Sequence, residues 1–366
     1  MNLRNMKNQY HVIILGGGIA GLSCALFLKR NGIDDVLILN RNSHNVHKAC
    51  SGILTERSIN LLKEIGINPS NYLKWDGVKA FYNGEPSRIY PNNVYAYQNT
   101  GLNRVSLDED MYTKCLEEGV NILENVKTIN IDEKRNKINN FSYDYLLDAR
   151  GYSVIANQNK NKIFGIEAKI NSEDTQIDTI IPRIHLSHKI KGYGWIVSYK
   201  NSITIGLVDK YSAKKDYKAM LFKFALENNI VIDKNNVDLR AAFAPIKPSR
   251  KLRKNNILFI GDRAGLIDPL TQEGICYALL SGKLASEAIK KDNISFYQKS
   301  LKPVINSLNR AYTYRTIFFK KSFQQKLWNV TQKHHFTNVL FQKYSETDFF
   351  DYKKILAYHK NYKKSK

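Results

Sequence analysis

A chain of 366 residues is long enough to form about two domains of ordinary size. Hydrophobic residues make up 43% of the chain and charged residues 24%, a balance typical of a globular protein. The formal net charge of +23 attracts anions such as acidic phospholipid or a phosphorylated ligand, although a basic solvated surface gives the same count. No arginine-rich arm or RNA-binding signature accompanies the charge, so we predict no nucleic-acid partner.

The cysteines and the apolar runs indicate where in the cell the protein resides. Cys24, Cys50, Cys115 and Cys276 have no CxxC or other metal-ligand spacing, which argues against a disulfide framework and a metal site. The first ten residues lack the apolar core of a signal peptide, and no later run reaches the roughly 18 to 20 apolar residues that span a bilayer. We expect a cytoplasmic protein that is neither exported nor membrane-spanning.

The first forty residues predict a β-α-β unit. Residues 10–15 (YHVIIL) form a short apolar run with β-rich composition, which predicts a buried strand. Helical spacing follows over residues 19–30, Gly32 ends the helix, and residues 36–39 (VLIL) predict a second strand. Strands joined through a helix pair in parallel, so this unit begins a doubly wound sheet.

Three glycines, Gly16-x-Gly18-x-x-Gly21, occupy the turn between the first strand and the helix. Gly16 permits the tight turn, Gly18 lets the backbone approach a pyrophosphate, and Gly21 lets helix and strand pack closely. The N–H groups at the start of the helix have no partners within it and attract negative charge. The turn therefore predicts a dinucleotide-binding site.

The second strand is followed by Asn40 and Arg41, where an acidic residue normally accepts hydrogen bonds from the adenosine ribose. The neutral amide of Asn40 can still accept a hydrogen bond, but the electrostatic attraction of a carboxylate is lost. Arg41 favours a phosphate instead. This segment leaves open whether the nucleotide is FAD or a free NADP.

Later segments divide the chain into domains. Residues 108–148 predict a helix and two strands that return to the first sheet, whereas alternating patterns between 160 and 244 predict antiparallel strands. The apolar run 257–260 and the helical run 274–289 resume the α/β pattern. We predict an α/β fold, with a two-layer or three-layer Rossmann-type domain in two parts (8–158 and 249–295), an antiparallel β-rich substrate domain (159–248) and a basic, aromatic, helical C-terminal segment (296–366).

The most specific signal is GDRAG at residues 261–265, followed by QEGI at 272–275 and SG at 281–282. The carboxylate of Asp262 follows a strand, where it can bond the ribityl hydroxyls of a flavin nucleotide. A helix then begins at Gly274. Its N-terminal amides and dipole would face the pyrimidine edge of the flavin, where negative charge builds up on reduction.

These motifs resemble the p-hydroxybenzoate hydroxylase superfamily of flavoproteins, and within it most closely the geranylgeranyl reductase family. The family pattern GDAAG and GEGI is matched with Arg263 for the first alanine and Gln272 for the first glycine. Three weaker matches lie in the same order along the chain. HKACSG at 47–52 resembles the K-x-C-G-G loop, NRVSLD at 103–108 resembles the segment whose arginine reaches FAD, and GYGW at 192–195 resembles the G-Y-x-W motif beside the flavin.

The resemblance covers approximately residues 10–290, with further departures from the family pattern. Ser51 stands where glycine is usual, and Ser198 stands where proline is usual. The usual DG motif is DARG at 148–151, which looks more like the DARG of lycopene cyclases or the D-x-x-G of flavin halogenases.

The resemblance implies one FAD held between both glycine-bearing helix starts. The implied cofactor-binding residues are Gly16, Gly18, Ala20, Gly21, Asn40, Arg41, Arg104, Val126, Gly261, Asp262, Gly274 and Ile275. The implied catalytic residues, whose loops the resemblance puts against the flavin ring, are Cys50, Tyr193 and Trp195. Each of these three also has an ordinary packing interpretation, because cysteines and alternating aromatic residues are common in protein cores.

Three hypotheses follow for the chemistry. In the first, a reductase transfers hydride from reduced FAD to an isoprenoid double bond, while a nearby acid supplies the proton. In the second, a monooxygenase hydroxylates an aromatic or quinone-like metabolite. A halogenase is a minor variant of the second, disfavoured because the usual W-x-W-x-I-P reads Y-x-W-x-V-S at 193–198. In the third, the chain is a flavin-binding scaffold without turnover.

Partners follow from the same features. No second dinucleotide fingerprint is visible, so electrons would come from NAD(P)H that docks transiently or from a reduced ferredoxin-like protein. The substrate of a reductase would be a hydrophobic small molecule or lipid. Residues 301–366 carry fourteen Lys and Arg against three Asp and Glu, which suits peripheral contact with an anionic membrane. An ordinary amphipathic helical cap is the alternative for this segment.

Overall fold

The computed structural model describes residues 7–44, 49–67, 72–97, 103–127, 129–158, 161–171, 181–187, 189–199, 202–233, 235, 237–333 and 351–353. These residues form two sheets with helices between their strands, and further helices follow the last strand along the chain. The fold is α/β, with a mainly parallel sheet, a mainly antiparallel sheet and a helical C-terminal region, as the sequence predicts.

The elements are numbered in chain order. The strands are β1 (Gln9–Leu15), β2 (Val36–Leu39), β3 (Ile53–Thr55), β4 (Tyr72–Tyr82), β5 (Glu85–Tyr97), β6 (Asn121–Leu123), β7 (Ile131–Asp132), β8 (Lys137–Ile138), β9 (Phe141–Asp148), β10 (Lys162–Asn171), β11 (Arg183–Leu186), β12 (Tyr193–Tyr199), β13 (Ser202–Lys210), β14 (Asp238–Pro245), β15 (Arg253–Lys254) and β16 (Ile257–Phe259). The helices are α1 (Ile19–Arg30), α2 (Glu56–Glu64), α3 (Asn103–Glu117), α4 (Tyr217–Leu226), α5 (Ile275–Lys290), α6 (Ile294–Phe318) and α7 (Lys321–Lys333). Among the described residues, none of these helices combines the length and apolar character that crossing a bilayer requires.

The first sheet has the strand order β15-β16-β9-β1-β2-β6. The strands from β16 to β6 are parallel, while β15 and the β7–β8 hairpin pair antiparallel at its margins. Its central strands are apolar on both sides because both faces are covered. Val12 and Ile14 of β1 join the core under α1 and α5, while Ile13 and Leu15 join the core on the opposite face.

The second sheet has the order β14-β10-β13-β12-β11-β4-β5-β3, and only its β11–β4 pairing is parallel. Three of its strands, β3 to β5, come from inside the 8–158 segment, so this sheet is not confined to residues 159–248 as predicted. The reason is that strand pairing is a long-range choice, and nothing local in residues 53–97 says which sheet they join. The domain boundaries themselves stay a prediction.

Strand β12 shows why the alternating pattern of the sequence matters. Successive side chains of a strand point to opposite faces. Accordingly, Trp195, Val197 and Tyr199 pack in an aromatic cluster on one face, while Ile196 packs under α4 on the other. Glycine at position 206 makes this packing possible, because a Cβ there would come within 2.1 Å of the Trp195 indole.

A second aromatic cluster, on β4 and β11, holds a half-buried histidine. The ring of His185 stacks on Phe81 with centroids 4.4 Å apart and planes 3° apart, and it meets Phe224 of α4 edge-on at 5.0 Å. Burial, together with the charge of Arg183, lowers the pKa of His185 from 6.5 to about 4. The imidazole is therefore neutral in the folded chain at pH values where it is protonated in the unfolded chain.

The lowered pKa of His185 predicts a loss of folding stability in mild acid. A depressed pKa in the folded state means that its contribution is fully present above about pH 6.5 and is lost as the pH falls toward about 4. We expect the free energy of unfolding to fall by about 2–3 kcal/mol over that interval through this residue. Denaturant titrations of wild type and His185→Phe at several pH values measure the pH dependence of stability, which should be shallower in the variant by this contribution. His11→Gln, a surface control, should keep it; an equal slope in His185→Phe would contradict the assignment.

Candidate functional site

The turn after β1 has the geometry that its glycines predict. A Cβ at Gly21 would lie 2.0 Å from the carbonyl oxygen of Gly16, so only glycine lets α1 approach the strand this closely. Helix α1 starts after Gly18 with no side-chain cap and no acidic residue in its first turn. Its first N–H groups therefore have no partner within the helix and carry the positive end of its dipole. This start is suited to an anionic ligand.

The second glycine-bearing helix start converges on the first. Helix α5 begins at Ile275 after Gly274, again without a side-chain cap or an acidic residue in its first turn. The two helices are in close contact, because a Cβ at Gly282 would lie 2.7 Å from Ser23 Oγ of α1. A Cβ at Gly261 would lie 2.8 Å from Cβ of Ala20, beside the first turn of α1. Two motifs some 240 residues apart in the chain thus form one site.

Gly274 has no structural reason to be glycine. Its φ of −119° is open to any residue. A Cβ there would meet Ile267 at 3.4 Å and Asp262 Oδ1 at 3.6 Å, which are ordinary contacts. The absence of a side chain at Gly274 therefore leaves open space at the start of α5 that a ligand could occupy. The side chain of Asp262, which is expected to bind ribityl hydroxyls, lies beside that start.

The residue where the family has glycine, Gln272, is in the left-handed region with φ of 58°. That conformation explains the family's glycine, because side chains are strained there. In this chain the amide of Gln272 donates to the carbonyls of Asp268 at 3.1 Å and Pro269 at 3.0 Å, which helps to hold the turn. The next residue, Glu273, receives bonds from Thr55 at 2.6 Å and from Arg57, and thereby fixes α2 against the start of α5.

Asn40 and its neighbours lie beside the first glycine turn. The Asn40 side-chain oxygen accepts a hydrogen bond from the Gly17 N–H at 3.1 Å, so this residue braces the turn. The N–H of Val126 donates to the Asn40 carbonyl at 2.9 Å, which brings Val126 to the same edge of the sheet. Arg41 is exposed. Its role toward a phosphate stays a prediction, as does the role of Asn40 toward a ribose.

A charged cluster that sequence reasoning missed lies at the end of β9. The Asp148 carboxylate is buried, and Arg150 binds it through Nε at 2.9 Å and Nη2 at 2.8 Å. Arg263, from the GDRAG turn, donates its Nε to the same carboxylate at 2.8 Å. Burial alone would raise the pKa of Asp148, but the hydrogen bonds and charge of Arg150 and the charge of Arg263 outweigh it, so the pKa is lowered. The signal was present as two separate departures from the family pattern.

The predicted catalytic residues lie on one side of the second sheet. Tyr193 donates to the carbonyl of Thr271 at 2.6 Å, and Tyr199 donates to the carbonyl of Ser51, next to Cys50. Burial raises the pKa of both phenols, and the nearby Cys50 thiol adds to the rise. The structure therefore brings the Cys50 loop, this strand face and the turn before α5 together. That these residues act in catalysis stays a prediction.

Trp195, the third predicted catalytic residue, is buried on the same strand face. Its ring meets Tyr193 edge-on at a centroid distance of 6.3 Å. Its indole N–H has no hydrogen-bond partner within the described residues. Three further residues of the predicted motifs fall outside what the structure describes. Arg104 lies in α3, but its side chain is not among the described parts of the structure. His47 and Lys48 of the cysteine loop lie outside the described residues.

Helix α6 reaches the site through a buried arginine that the sequence did not single out. Arg315 is 5% exposed and donates to the carbonyl of Pro269 at 2.5 Å and to the carbonyl of Lys191. Pro269 belongs to the turn before α5, whereas Lys191 leads into β12. Burial lowers the pKa of Arg315 to about 10, with the charge of Asp209 opposing the shift. The arginine thus ties the cofactor side of the site to the second sheet.

Residues 351–353 return to the same turn. The Tyr352 hydroxyl donates to both carboxylate oxygens of Asp268, at 3.0 and 2.9 Å, and its backbone N–H donates to Ser307 of α6 at 3.2 Å. Asp268 is fully buried, and burial raises its pKa despite bonds from the N–H groups of Leu270 and Thr271. The C-terminal region is therefore part of the site's framework.

Comparison with known proteins identifies the ligand of the first domain. Residues 9–151 match the FAD binding domain family. This chain is an FAD-dependent oxidoreductase. Its residues fit FAD: two uncapped helix starts converge at the carboxyl edge of a parallel sheet, and Gly274 leaves space that the protein itself does not need. The resemblance to geranylgeranyl reductases is confirmed.

Relatives of this oxidoreductase span most of its length. It is 22% identical to a digeranylgeranylglycerophospholipid reductase of Methanococcus aeolicus, over 79% of this chain and 80% of the relative. Its fold matches a geranylgeranyl bacteriochlorophyll reductase-like protein of Thermoplasma acidophilum with a TM-score of 0.76 at 16% identity, over 97% and 99% of the two chains. A probable FAD-dependent monooxygenase of Pseudomonas aeruginosa matches with a TM-score of 0.64 at 13% identity, over 88% and 99%. Both structural matches show that this chain shares their fold.

Proposed function

We propose that this oxidoreductase reduces carbon–carbon double bonds in the isoprenoid chains of a lipid. Bound reduced FAD supplies the hydride for one carbon of the double bond, and a proton completes the other carbon. The observation that carries the proposal is the aromatic strand face of β12, which contacts both the Cys50 loop and the turn before α5. The name of the Methanococcus aeolicus relative supports a geranylgeranyl-bearing phospholipid as the substrate class.

The aromatic face suits an apolar chain. The cluster on this face consists of Trp75, Trp195 and Tyr199 with Val94 and Val197. An apolar substrate that enters beside these side chains would be transferred out of water. The two phenols on this face already donate to backbone carbonyls. They therefore hold the loops in position and offer little polar recognition to a substrate. A hydrocarbon chain needs none.

Cys50 is the candidate proton donor at this face. It is half-buried, and the Gly52 N–H donates to its sulfur at 3.5 Å, which orients the thiol within its loop. In the proposed reaction the Cys50 thiol would give its proton to the carbon of the double bond that does not receive the hydride. The thiolate left behind would take up a proton from solvent, which restores the thiol.

Two partners complete the proposal. Electrons come from NAD(P)H that docks transiently or from a reduced ferredoxin-like protein, for which the basic surface is suited. The C-terminal segment, with a charge balance of +11 over residues 301–366, rests on an anionic membrane and gives access to lipid chains.

Anaerobic turnover tests this function. The holoenzyme is reduced chemically in the absence of oxygen and mixed with a geranylgeranyl-bearing phospholipid. We expect reoxidation of the flavin and a product that has gained two hydrogen atoms per reduced bond, read by visible absorbance and mass spectrometry. The Cys50→Ser variant, which keeps a hydroxyl in place of the thiol, serves as the matched comparison for proton delivery.

Two other outcomes would contradict the proposal. A hydroxylated product that forms only when oxygen is admitted, with one molecule of O₂ consumed per molecule of product, would indicate a monooxygenase. No product with any donor, aerobically or anaerobically, would indicate a flavin-binding scaffold. Quinone-like and aromatic substrates are offered in parallel with the phospholipid, so that each hypothesis has an observation of its own.

A further inference from the structure

Two arginines at the carboxyl edge of the first sheet have donors that form no hydrogen bond with the residues that the structure describes. Arg150 and Arg263 each bind Asp148, but Nη1 of Arg150 and both Nη groups of Arg263 donate no hydrogen bond within the described part of the chain. The carboxylate is almost fully buried, at 3% side-chain exposure, whereas the Arg150 and Arg263 side chains are 28% and 19% exposed. The unused donors therefore lie on the open side of the cluster.

This open side lies at the first glycine turn. Asp148 pairs with Leu15, the last residue of β1, and with Phe259, the last residue of β16. The backbone continues directly under the turn, because a Cβ at Gly16 would come within 3.2 Å of the Arg150 Cα. In parallel sheets of this type, ligands bind outside the carboxyl ends of the strands.

The cluster carries a net positive charge. Two guanidinium groups share one carboxylate whose pKa is lowered, so one positive charge is left uncompensated. Asp148 also fixes both planar groups in orientation through three hydrogen bonds. Arginine held in this way is pre-organised for phosphate oxygens, which it can bind with paired N–H groups.

We propose that Arg150 and Arg263 bind the pyrophosphate of a bound dinucleotide, with Asp148 as the residue that positions both. The two departures from the family pattern, arginine for alanine at 263 and the arginine of DARG at 150, then form a single binding feature. The cluster adds fixed charge to the uncapped start of α1, which attracts the same group. The dinucleotide is FAD or the nicotinamide donor, which share this pyrophosphate chemistry. The assignment does not depend on which substrate is reduced.

Titration of the apo-protein with FAD, monitored by the quenching of flavin fluorescence, tests whether the bound dinucleotide is FAD. We expect Arg263→Ala and Arg150→Ala each to weaken binding by about 10- to 100-fold, as loss of a charged hydrogen bond implies. The affinity of wild type should fall with rising salt, and each variant should show a shallower dependence because one charge fewer meets the ligand. Titration of the holoprotein with NADH and NADPH tests whether it is the nicotinamide donor.

Two further variants control for charge and folding. Lys254→Ala removes the same charge from the opposite edge of the sheet, where Lys254 pairs with Glu133 at 2.7 Å, and should leave both affinities unchanged. Arg263→Lys keeps the charge and should retain the salt dependence with intermediate affinity, even if an alanine variant folds poorly. A loss confined to FAD or to the nicotinamide nucleotide supports the proposal and names the source. Unchanged affinity for both ligands, or an equal loss in Lys254→Ala, would overturn it.

Discussion

Gly274→Leu is expected to yield folded but colourless protein. The φ of −119° at this position and the distances of 3.4 Å and more to the nearest protein atoms mean that the fold accepts a side chain here. A leucine, however, would stand at the uncapped start of α5, beside Asp262, where the flavin edge is expected. We expect the FAD affinity to fall by at least about 100-fold, since a ligand excluded by overlap cannot use the amides of that start. The ratio of visible flavin absorbance to protein absorbance measures it.

Two variants sharpen this test. Gly274→Ala adds only a Cβ and should lower the affinity less than leucine does. Gly165→Ala, in β10 of the second sheet, places a Cβ in a slightly tight contact, 3.3 Å from the Val208 side chain, and should retain the cofactor. If Gly274→Leu purifies as yellow as wild type, the start of α5 does not hold the flavin.

Arg315→Met is expected to cause the largest loss of stability among these variants. Arg315 is buried and is the donor for the carbonyls of Pro269 and Lys191, and the charges of Asp209 and Asp268 favour its protonated form. Methionine fills similar space but leaves both carbonyls without this donor. We expect the free energy of unfolding to fall by about 2–4 kcal/mol. Denaturant titration of the holoprotein measures it.

The matched control lies on the same helix. Arg310→Met removes the same group five residues earlier, where the side chain lines a surface groove of α6, and should change stability by less than about 0.5 kcal/mol. Equal stability of Arg315→Met and Arg310→Met would show that α6 is not joined to the site through this residue. A flavin spectrum altered only in Arg315→Met would show that the turn before α5 moves with it.

Much of the first domain could be predicted because its signals are local. The strand at β2 and the helix α1 have the bounds that apolar periodicity and glycine indicate, and α5 starts directly after Gly274. The alternating patterns between 160 and 244 predicted antiparallel strands, and β12 is one of them, with Tyr193, Trp195 and Tyr199 on one face. Each of these features depends on residues within one or two turns of one another. The motif resemblance then connected them to FAD.

The sequence by itself determined the dinucleotide turn and the second helix start, since these follow from residue types at fixed local spacing, and the resemblance of its motifs to a flavoprotein family implied a flavin. Only the tertiary structure decided that β3 to β5 join the second sheet, that Arg263 and Arg150 share one carboxylate, and that Arg315 and Tyr352 hold the turn before α5. Asp148 and Arg263 are 115 residues apart, and Arg315 is 124 residues from Lys191. Contacts at such separations are set by how sheets and helices pack around a common core, and no local pattern encodes which distant partner a charged side chain meets.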